Sequence, residues 1–269
     1  EDPCRDFNIL NRHFFPWEMT KKGQSDDLVI GFETHIHPSV IVGKGVVIGD
    51  RCIIHPGVVL YDNVHIGNDC IIHANTVVGS DAFYFKTRPS GREKMFTCGW
   101  VEIGNDVEIG SGCTIDKGLT ADTRIGSGTK IDNHVHIGHD TVIGKNCLLM
   151  TYVHVAHDCQ IGNNVILASY VGLSGHVVID DFAILEGKVA AQQFVHIGRH
   201  AFIGGASLVR KDVPPFIKSA REPMTFAGVN SVGLRRRGFT DDEVRTIEDV
   251  YRSIYIQSSN MSKGMQNVK

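Results

Sequence analysis

The sequence predicts an all-β chain, a parallel β-helix of hexapeptide repeats, with a short helix before it and a helical extension after it. Three observations predict this. An aliphatic residue returns every sixth position, glycine often follows that aliphatic, and the composition pairs 29 glycines with only 8% aromatic residues. In "IIHPGVVLYDNVHIGNDCIIHANTVVG" (53–79) the count falls on Ile54, Leu60, Ile66, Ile72 and Val78. A run of six fits neither the 3.6-residue period of a helix nor the 2-residue period of a simple strand. Glycine and asparagine supply the φ > 0 conformations that tight corners need. Each hexad therefore reads as a short strand plus a corner, with the aliphatic at the corner pointing inward. Three hexads close one coil of eighteen residues, and coils stack as parallel strands about 4.8 Å apart.

The elements follow in order. Residues 2–15 ("DPCRDFNILNRHFF") suit a short helix, and "PWEMTKKGQSDD" a loop. The first block of repeats runs from Val42 to Val78, and the Lys-, Arg-, Gly- and Pro-bearing stretch from Tyr84 to Trp100 should project as a loop from one corner. The count resumes at Ile103, Ile109 and Ile115, and four extra residues within "KGLTADTR" reset it at Ile125. From Ile131 to Val209 there are fourteen sites, thirteen of them branched aliphatics and the other Ala191. "KDVPPFIKSAREP" is too rich in proline for a strand. Thr240 and Glu243 then form a capping box ahead of a helix whose apolar face is Val244, Ile247, Val250, Tyr251 and Ile254. "QSSNMSKGMQNVK" reads as a polar, frayed tail. The expected division is 1–27, 28–212 for the β-helix, and 213–269. Repeat arrays need covered ends, and the two terminal helices are the candidates.

Composition narrows the function. A net charge of -3 gives no global field for nucleic acid, no run of 18 apolar residues spans a membrane, and no signal peptide is visible, which together favour a cytoplasmic protein. Cys52, Cys70, Cys113, Cys147 and Cys159 all lie four residues after a six-count aliphatic, and no CxxC pair occurs. They read as small, reduced, inward-facing residues, which argues against an acyl-cysteine intermediate.

Eighteen-residue counting turns sequence into position. His37, His55 and His73 form one column, His136 and His154 another, His139 and His157 a third; Gln193 continues the third line, and His176 sits one residue off it, after Gly175. An outward histidine can act as a general base near neutral pH. Asp158 follows His157 and could orient it, although sequence neighbours on a strand point apart. Columns of this kind are ordinarily polar ladders; for His37, His55 and His73 a zinc site between subunits is the alternative, of the γ-carbonic anhydrase type. The basic stretches "RKDV" and "LRRRGF" suit either a pyrophosphate and an acidic partner or a plain solvated face.

From Thr141 to Tyr255 the chain closely resembles the UDP-N-acetylglucosamine O-acyltransferases of lipid A synthesis. The motifs are "NCLLMTYVHVAHDCQIGN", "GLSGHVVIDDFAIL", "QQFVHIG", "GGASLVRKDVPPFI" and "GVNSVGLRRRGF". Residues 1–140, with "DPCRDFNILNRHFF", "VVGSDAFYF", "VEIGNDVEIGSGCTIDKG" and "DTRIGSGTKIDNHVHIGHD", resemble instead the UDP-3-O-acyl-glucosamine N-acyltransferases, of whose N-terminal uridine-binding domain only the last helix is recognisable in this sequence. The resemblance implies a left-handed β-helix, a homotrimer with sites between subunits, and transfer of a 3-hydroxyacyl chain from acyl carrier protein to the sugar 3-hydroxyl. It implies no metal and no cofactor beyond the carrier's phosphopantetheine thioester. It makes His157 the base, Asp158 its partner, and Gly175 N–H the oxyanion donor. His154, His176 and Gln193 would line the sugar pocket, Gly205 would limit acyl length, and Asn230, Arg236 and Arg237 would hold the nucleotide. The N-acyltransferase motif puts the base at His139 and implies N-acylation. Gln192 departs from the family's usual histidine, and Glu186 and Lys188 stand where small or apolar residues are usual. A non-catalytic binder of the UDP-sugar or the carrier protein is the remaining alternative.

Overall fold

The computed structural model describes residues 2–14, 25–255, 257 and 261–267. The six-count becomes a three-faced parallel β-helix. The first face runs from Val29–Ile30 to His196–Ile197, the second from His35–Ile36 to Phe202–Ile203, and the third from Ile41–Val42 to Leu208–Val209. Register is one coil per step: His136 pairs His154 and Ile137 pairs Val155, then His154 pairs Gly172 and Val155 pairs Leu173.

Each hexad turns two side chains inward. One is the aliphatic, which is the second residue of a two-residue strand rather than a corner residue as expected. The other is the small residue two positions before it. Ile137, Ile143, Leu149 and Val155 are buried, as are Val135, Cys147 and Val153. Each fully buried aliphatic contributes roughly 1.5–3 kcal/mol, and the core is a single column of them. All five repeat cysteines are buried and free, as expected.

The corner chemistry differs from expectation. The left-handed residue is not the glycine after the aliphatic but the residue two places further on: Asn146 (φ 55), Tyr152 (φ 60), Asp158 (φ 58), Asn164 (φ 57) and His176 (φ 60). The glycine answers a different need, close approach between coils. At Gly144 an added Cβ would lie 2.5 Å from the Gly162 carbonyl oxygen of the next coil. Non-glycine residues in this region cost of order 1–3 kcal/mol each, and stacking along the corner offsets part of it: His134, Tyr152 and Tyr170 stack in succession at 5.1 Å.

The ends are covered unequally. Helix α1 (Pro3–Phe14) does not cap a coil end, contrary to expectation. It packs on the projecting segment, which is a hairpin of Phe85–Arg88 and Gly91–Lys94. Asn8 and Asn11 donate to the Lys94 and Phe96 carbonyls at 2.9 and 2.7 Å, while Cys4 and Phe7 pack against Ala82, Met95 and Leu119, and the helix is held by both. The loop expected ahead of the first coil lies mostly outside the described residues. At the other end the proline-rich stretch does hold a strand, Ile217–Ala220, which pairs with Phe202–Ile203 and with Thr225–Val229. Of its three prolines, Pro214 and Pro215 precede the strand and Pro223 follows it, so no ladder bond is lost. Helices α2 (Ser231–Arg236) and α3 (Asp241–Tyr255) follow. The capping box is formed, with Glu243 N–H donating to Thr240 Oγ1 at 3.2 Å and Thr240 N–H to Glu243 Oε2 at 2.8 Å. Helix α3 buries Val244 and Tyr251, and Tyr251 Oη donates to the Pro215 carbonyl at 2.6 Å, which closes this end of the core. The tail is not wholly irregular: Met261–Asn267 form a short helix, α4.

Candidate active site

The corner between the third and first faces carries the histidine columns. One coil apart in register lie His139, His157, Gly175 and Gln193. The His139 and His157 rings stack at 5.3 Å and 10°. Each has its own carboxylate: His139 Nδ1 is 2.6 Å from Asp140 Oδ2, and His157 Nδ1 is 2.7 Å from Asp158 Oδ2. Sequence neighbours would point apart on a strand, but these pairs are not on a strand. Asp140 and Asp158 occupy the left-handed corner position, φ 57 and 58, which folds each carboxylate back onto the preceding imidazole. A carboxylate on Nδ1 leaves Nε2 as the basic nitrogen.

Gly175 follows one coil on. A Cβ there would lie 2.5 Å from His157 Cε1 and 2.6 Å from Nε2, so the ring occupies the space of the missing side chain. At some equivalent positions the amide is already bonded: Lys145 N–H donates to Asn163 Oδ1 at 2.8 Å and Asn163 N–H to Asp181 Oδ1 at 2.6 Å. Gly175 N–H has no partner among the described residues, because the next residue in line is Gln193 rather than an asparagine or aspartate. A free donor beside a basic nitrogen is the geometry an oxyanion requires.

Around this point stand the other expected sugar-site residues. His176, also left-handed, sets its ring edge-on to His157 at 5.1 Å and stacks on Phe194 at 4.8 Å. His154 stacks on His136 at 5.1 Å on the adjoining face; desolvation in that stack, then the charge of His136, lower its pKa. Gln193 is exposed. The ligand atoms of His157, Asp158 and His176 lie within 4.8 Å of one another and could hold a divalent cation. By contrast His37, His55 and His73 do not converge as a trio. His55 and His73 stack at 4.9 Å, His73 Nε2 bonds Glu108 at 2.9 Å, and His37 Nδ1 bonds Ser39. That column is a ladder.

The remaining candidates lie elsewhere in the protomer. Gly205 is on the corner between the second and third faces, where its N–H donates to Glu186 Oε2 at 3.0 Å. Asn230 is buried and used at both ends, donating to the His200 carbonyl at 3.0 Å and accepting from Gly233 N–H at 3.3 Å as the cap of α2. Arg236 is exposed. Arg237 lies over Phe182 at 5.6 Å beside His200, on the corner between the first and second faces, and burial lowers its pKa. One protomer therefore unites His139, Asp140, His157, Asp158, Gly175, His176 and Gln193, but not Gly205, Asn230, Arg236 or Arg237.

Sequence reasoning missed Asp140 and what holds it. Burial pushes its carboxyl up, but the His139 bond and the N–H groups of Leu119, Ala121 and Thr120 outweigh this and hold the pKa below the usual range. Those amides at 2.9, 2.7 and 3.3 Å come from the four-residue insertion. The repeated "HIGHD" and "HVAHD" were the available signal. Burial also raises the thiols of Cys113 and Cys159 to about 11, so neither supplies a thiolate at neutral pH.

A hexapeptide β-helix with a carboxylate-backed histidine and a free amide on one corner defines an acyltransferase of the hexapeptide-repeat class. Models of bacterial transferase hexapeptide repeats match residues 27–62, 122–149 and 140–175, and the model of UDP-N-acetylglucosamine O-acyltransferase domain 2 matches 212–269. The crystal structure of LpxA, a UDP-N-acetylglucosamine acyltransferase from Bacteroides fragilis, is 30% identical, covering 91% of this chain and 89% of that one, with a TM-score of 0.71. The Arabidopsis UDP-N-acetylglucosamine acyltransferase is 29% identical over 90% and 88% of the two chains, TM-score 0.64. An acyl-[acyl-carrier-protein]–UDP-N-acetylglucosamine O-acyltransferase of Burkholderia orbicola is 43% identical over 74 residues, a segment spanning only 28% of each chain. The chain belongs to the UDP-N-acetylglucosamine acyltransferase family.

Proposed function

We propose that the protein transfers a 3-hydroxyacyl group from acyl carrier protein to the 3-hydroxyl of UDP-N-acetylglucosamine, in lipid A synthesis. His157 Nε2 takes the hydroxyl proton as the oxygen attacks the thioester carbonyl. Asp158 fixes the tautomer and stabilises the imidazolium, and Gly175 N–H receives the developing oxyanion. Collapse of the tetrahedral intermediate expels the phosphopantetheine thiolate, which leaves with the proton from His157. No metal enters the scheme.

The observation that carries this reading is the His157–Asp158 pair packed into the notch of Gly175. Between the two possible bases, access supports His157: its side chain is 36% exposed and that of His139 7%. His154, His176 and Gln193 flank the open ring and suit a sugar. Gly205, Asn230, Arg236 and Arg237 would join the site from a neighbouring subunit, so the reading requires a homotrimer. No described helix is long and apolar enough to cross a membrane; with a carrier protein and a nucleotide sugar as substrates, the reading implies a cytoplasmic enzyme. The test is transfer of labelled acyl from 3-hydroxyacyl carrier protein to UDP-N-acetylglucosamine, with mild alkali on the product. The expected ester is cleaved. No transfer to UDP-N-acetylglucosamine, with an alkali-stable amide formed when UDP-3-O-acyl-glucosamine is the acceptor, would refute the reading.

A further inference from the structure

Asp116 is a buried acid that the proposed chemistry does not use. It is 8% exposed and ends the strand Thr114–Asp116, which pairs with His136–Ile137. Ser80 Oγ donates to Asp116 Oδ1 at 2.6 Å, and Asp116 Oδ2 faces His136 Nε2 at 3.9 Å. Among the described residues no lysine or arginine pairs with it; Lys94 and Lys117 go to Asp81 instead, at 2.7 and 3.3 Å. Burial raises its pKa, and the Ser80 bond and the charges of His136 and His139 oppose this without cancelling it. An acid whose folded pKa is raised costs stability at neutral pH, so the charge itself does not serve folding.

The backbone is shaped to place this carboxylate. Val78 pairs with Ile115 but Ser80 with Asp116, so Gly79 is an extra residue in its strand. Such a bulge re-aims a side chain. Gly79 has φ 87, and a Cβ there would lie 2.7 Å from Val64 Cγ2, so the bulge requires glycine. From Asp116 the contacts lead to the sugar pocket. His136 Nδ1 lies 2.8 Å from Thr114 Oγ1, so Thr114 and Asp116 hold the two sides of the ring. His136 in turn pairs with His154 and stacks on it at 5.1 Å and 15°.

Resting on the acyltransferase reading, we propose that Asp116 is a positioning residue of the acceptor pocket, acting through His136 to set how His154 meets the sugar. A carboxylate facing an imidazole favours the charged ring. His154 is kept from charging by desolvation first and by the charge of His136 second. A neutral imidazole can accept a hydrogen bond from a sugar hydroxyl, whereas an imidazolium only donates. The titratable groups along this relay are Asp81, Asp116, His136, His139 and His154; on its other side His154 pairs with Gly172, which carries no charge. His157 Nδ1 is held by Asp158 and not by this column, so the effect falls on acceptor binding rather than on proton transfer.

The experiment uses the full chain, with Asp116→Asn, which can still accept from Ser80, Asp116→Glu, His136→Gln and the double variant Asp116→Asn/His136→Gln. Imidazole NMR follows the titration of His154, calorimetry the binding of UDP-N-acetylglucosamine, and urea the unfolding midpoint. In Asp116→Asn, His154 should titrate at higher pH. Nucleotide-sugar affinity and KM should worsen roughly three- to tenfold, most at about pH 6. The fall in kcat should be smaller, the carrier-protein KM should hold, and the midpoint at neutral pH should not drop. Asp116→Glu should recover part of the loss, and the double variant should be no worse than His136→Gln alone. An unmoved His154 titration, losses that add in the double variant, or an equal rise in the carrier-protein KM would overturn the proposal. The NMR titration needs no turnover. A shifted His154 in a chain that neither binds the nucleotide sugar nor transfers acyl would therefore sink the acyltransferase reading and leave the relay standing.

Discussion

His139–Asp140 and His157–Asp158 share a sequence pattern, a corner and nearly the same bond, yet they occupy different environments. The Asp140 side chain is 8% exposed and the Asp158 side chain 38%. The difference comes from a neighbouring coil. The insertion in "KGLTADTR" folds over the first pair and gives three backbone N–H groups to Asp140; no insertion covers the second. A shared motif therefore does not fix a shared role. On the proposed reading, closure makes the first pair a structural clamp that stacks under the second, and openness leaves the second available to substrate.

Substitutions can break or sharpen that contrast. Gly175→Val should cut kcat by about 10²–10³-fold, because the side chain meets His157 and displaces the amide, while the urea midpoint moves modestly. Asp158→Asn should lower kcat by about 10²-fold, through loss of tautomer control, without a large stability change. Asp140→Asn should show the reverse, a loss of about 1–3 kcal/mol in unfolding free energy with kcat reduced severalfold. Its wild-type pKa is depressed, so the stability it supplies is present at neutral pH and lost as pH falls through the folded value; the variant should flatten that acid limb.

A third probe lies far from both pairs. His200 stacks between Phe182 and Phe216, is 8% exposed, and its Nδ1 has no hydrogen-bond partner among the described residues. Burial, then Arg237 and Arg199, push its pKa from 6.5 to about 4. The unfolded chain binds the proton first, so stability should fall between pH 6.5 and 4 by on the order of 2–3 kcal/mol. His200→Phe, which keeps the stack, should abolish that component in urea titrations across pH without changing kcat. The smallest expected effect is that of a chelator. If the base works alone, prolonged dialysis against one leaves kcat unchanged, whereas its loss would assign the His157, Asp158 and His176 cluster to a resident metal.

Much of this was legible in the sequence because a solenoid makes separation and position equivalent. The aliphatics gave the coil, and eighteen-residue spacing aligned His139, His157 and Gly175 correctly. What escaped was set by contacts that periodicity does not encode. The left-handed residue is chosen by the turn, so Asp158 could bend back onto His157. Helix α1 bonds the hairpin segment's backbone through Asn8 and Asn11 and adds only Cys4 and Phe7 as apolar contacts, a signal too short to announce its partner. The strand at Ile217–Ala220 begins just past the prolines that seemed to forbid it. Within one protomer Asn230 and Arg237 lie on a different corner from His139 and His157, beside His200, which only folding could reveal.

The central claim is that the open pair performs the chemistry and the closed pair supports it. Measuring kcat/KM for His157→Ala and His139→Ala side by side tests it most directly. A loss of about 10³-fold or more at His157, with a loss of tenfold or less at His139, is the predicted result. The opposite ranking, with His139→Ala inactive at an undiminished unfolding midpoint, would contradict the account.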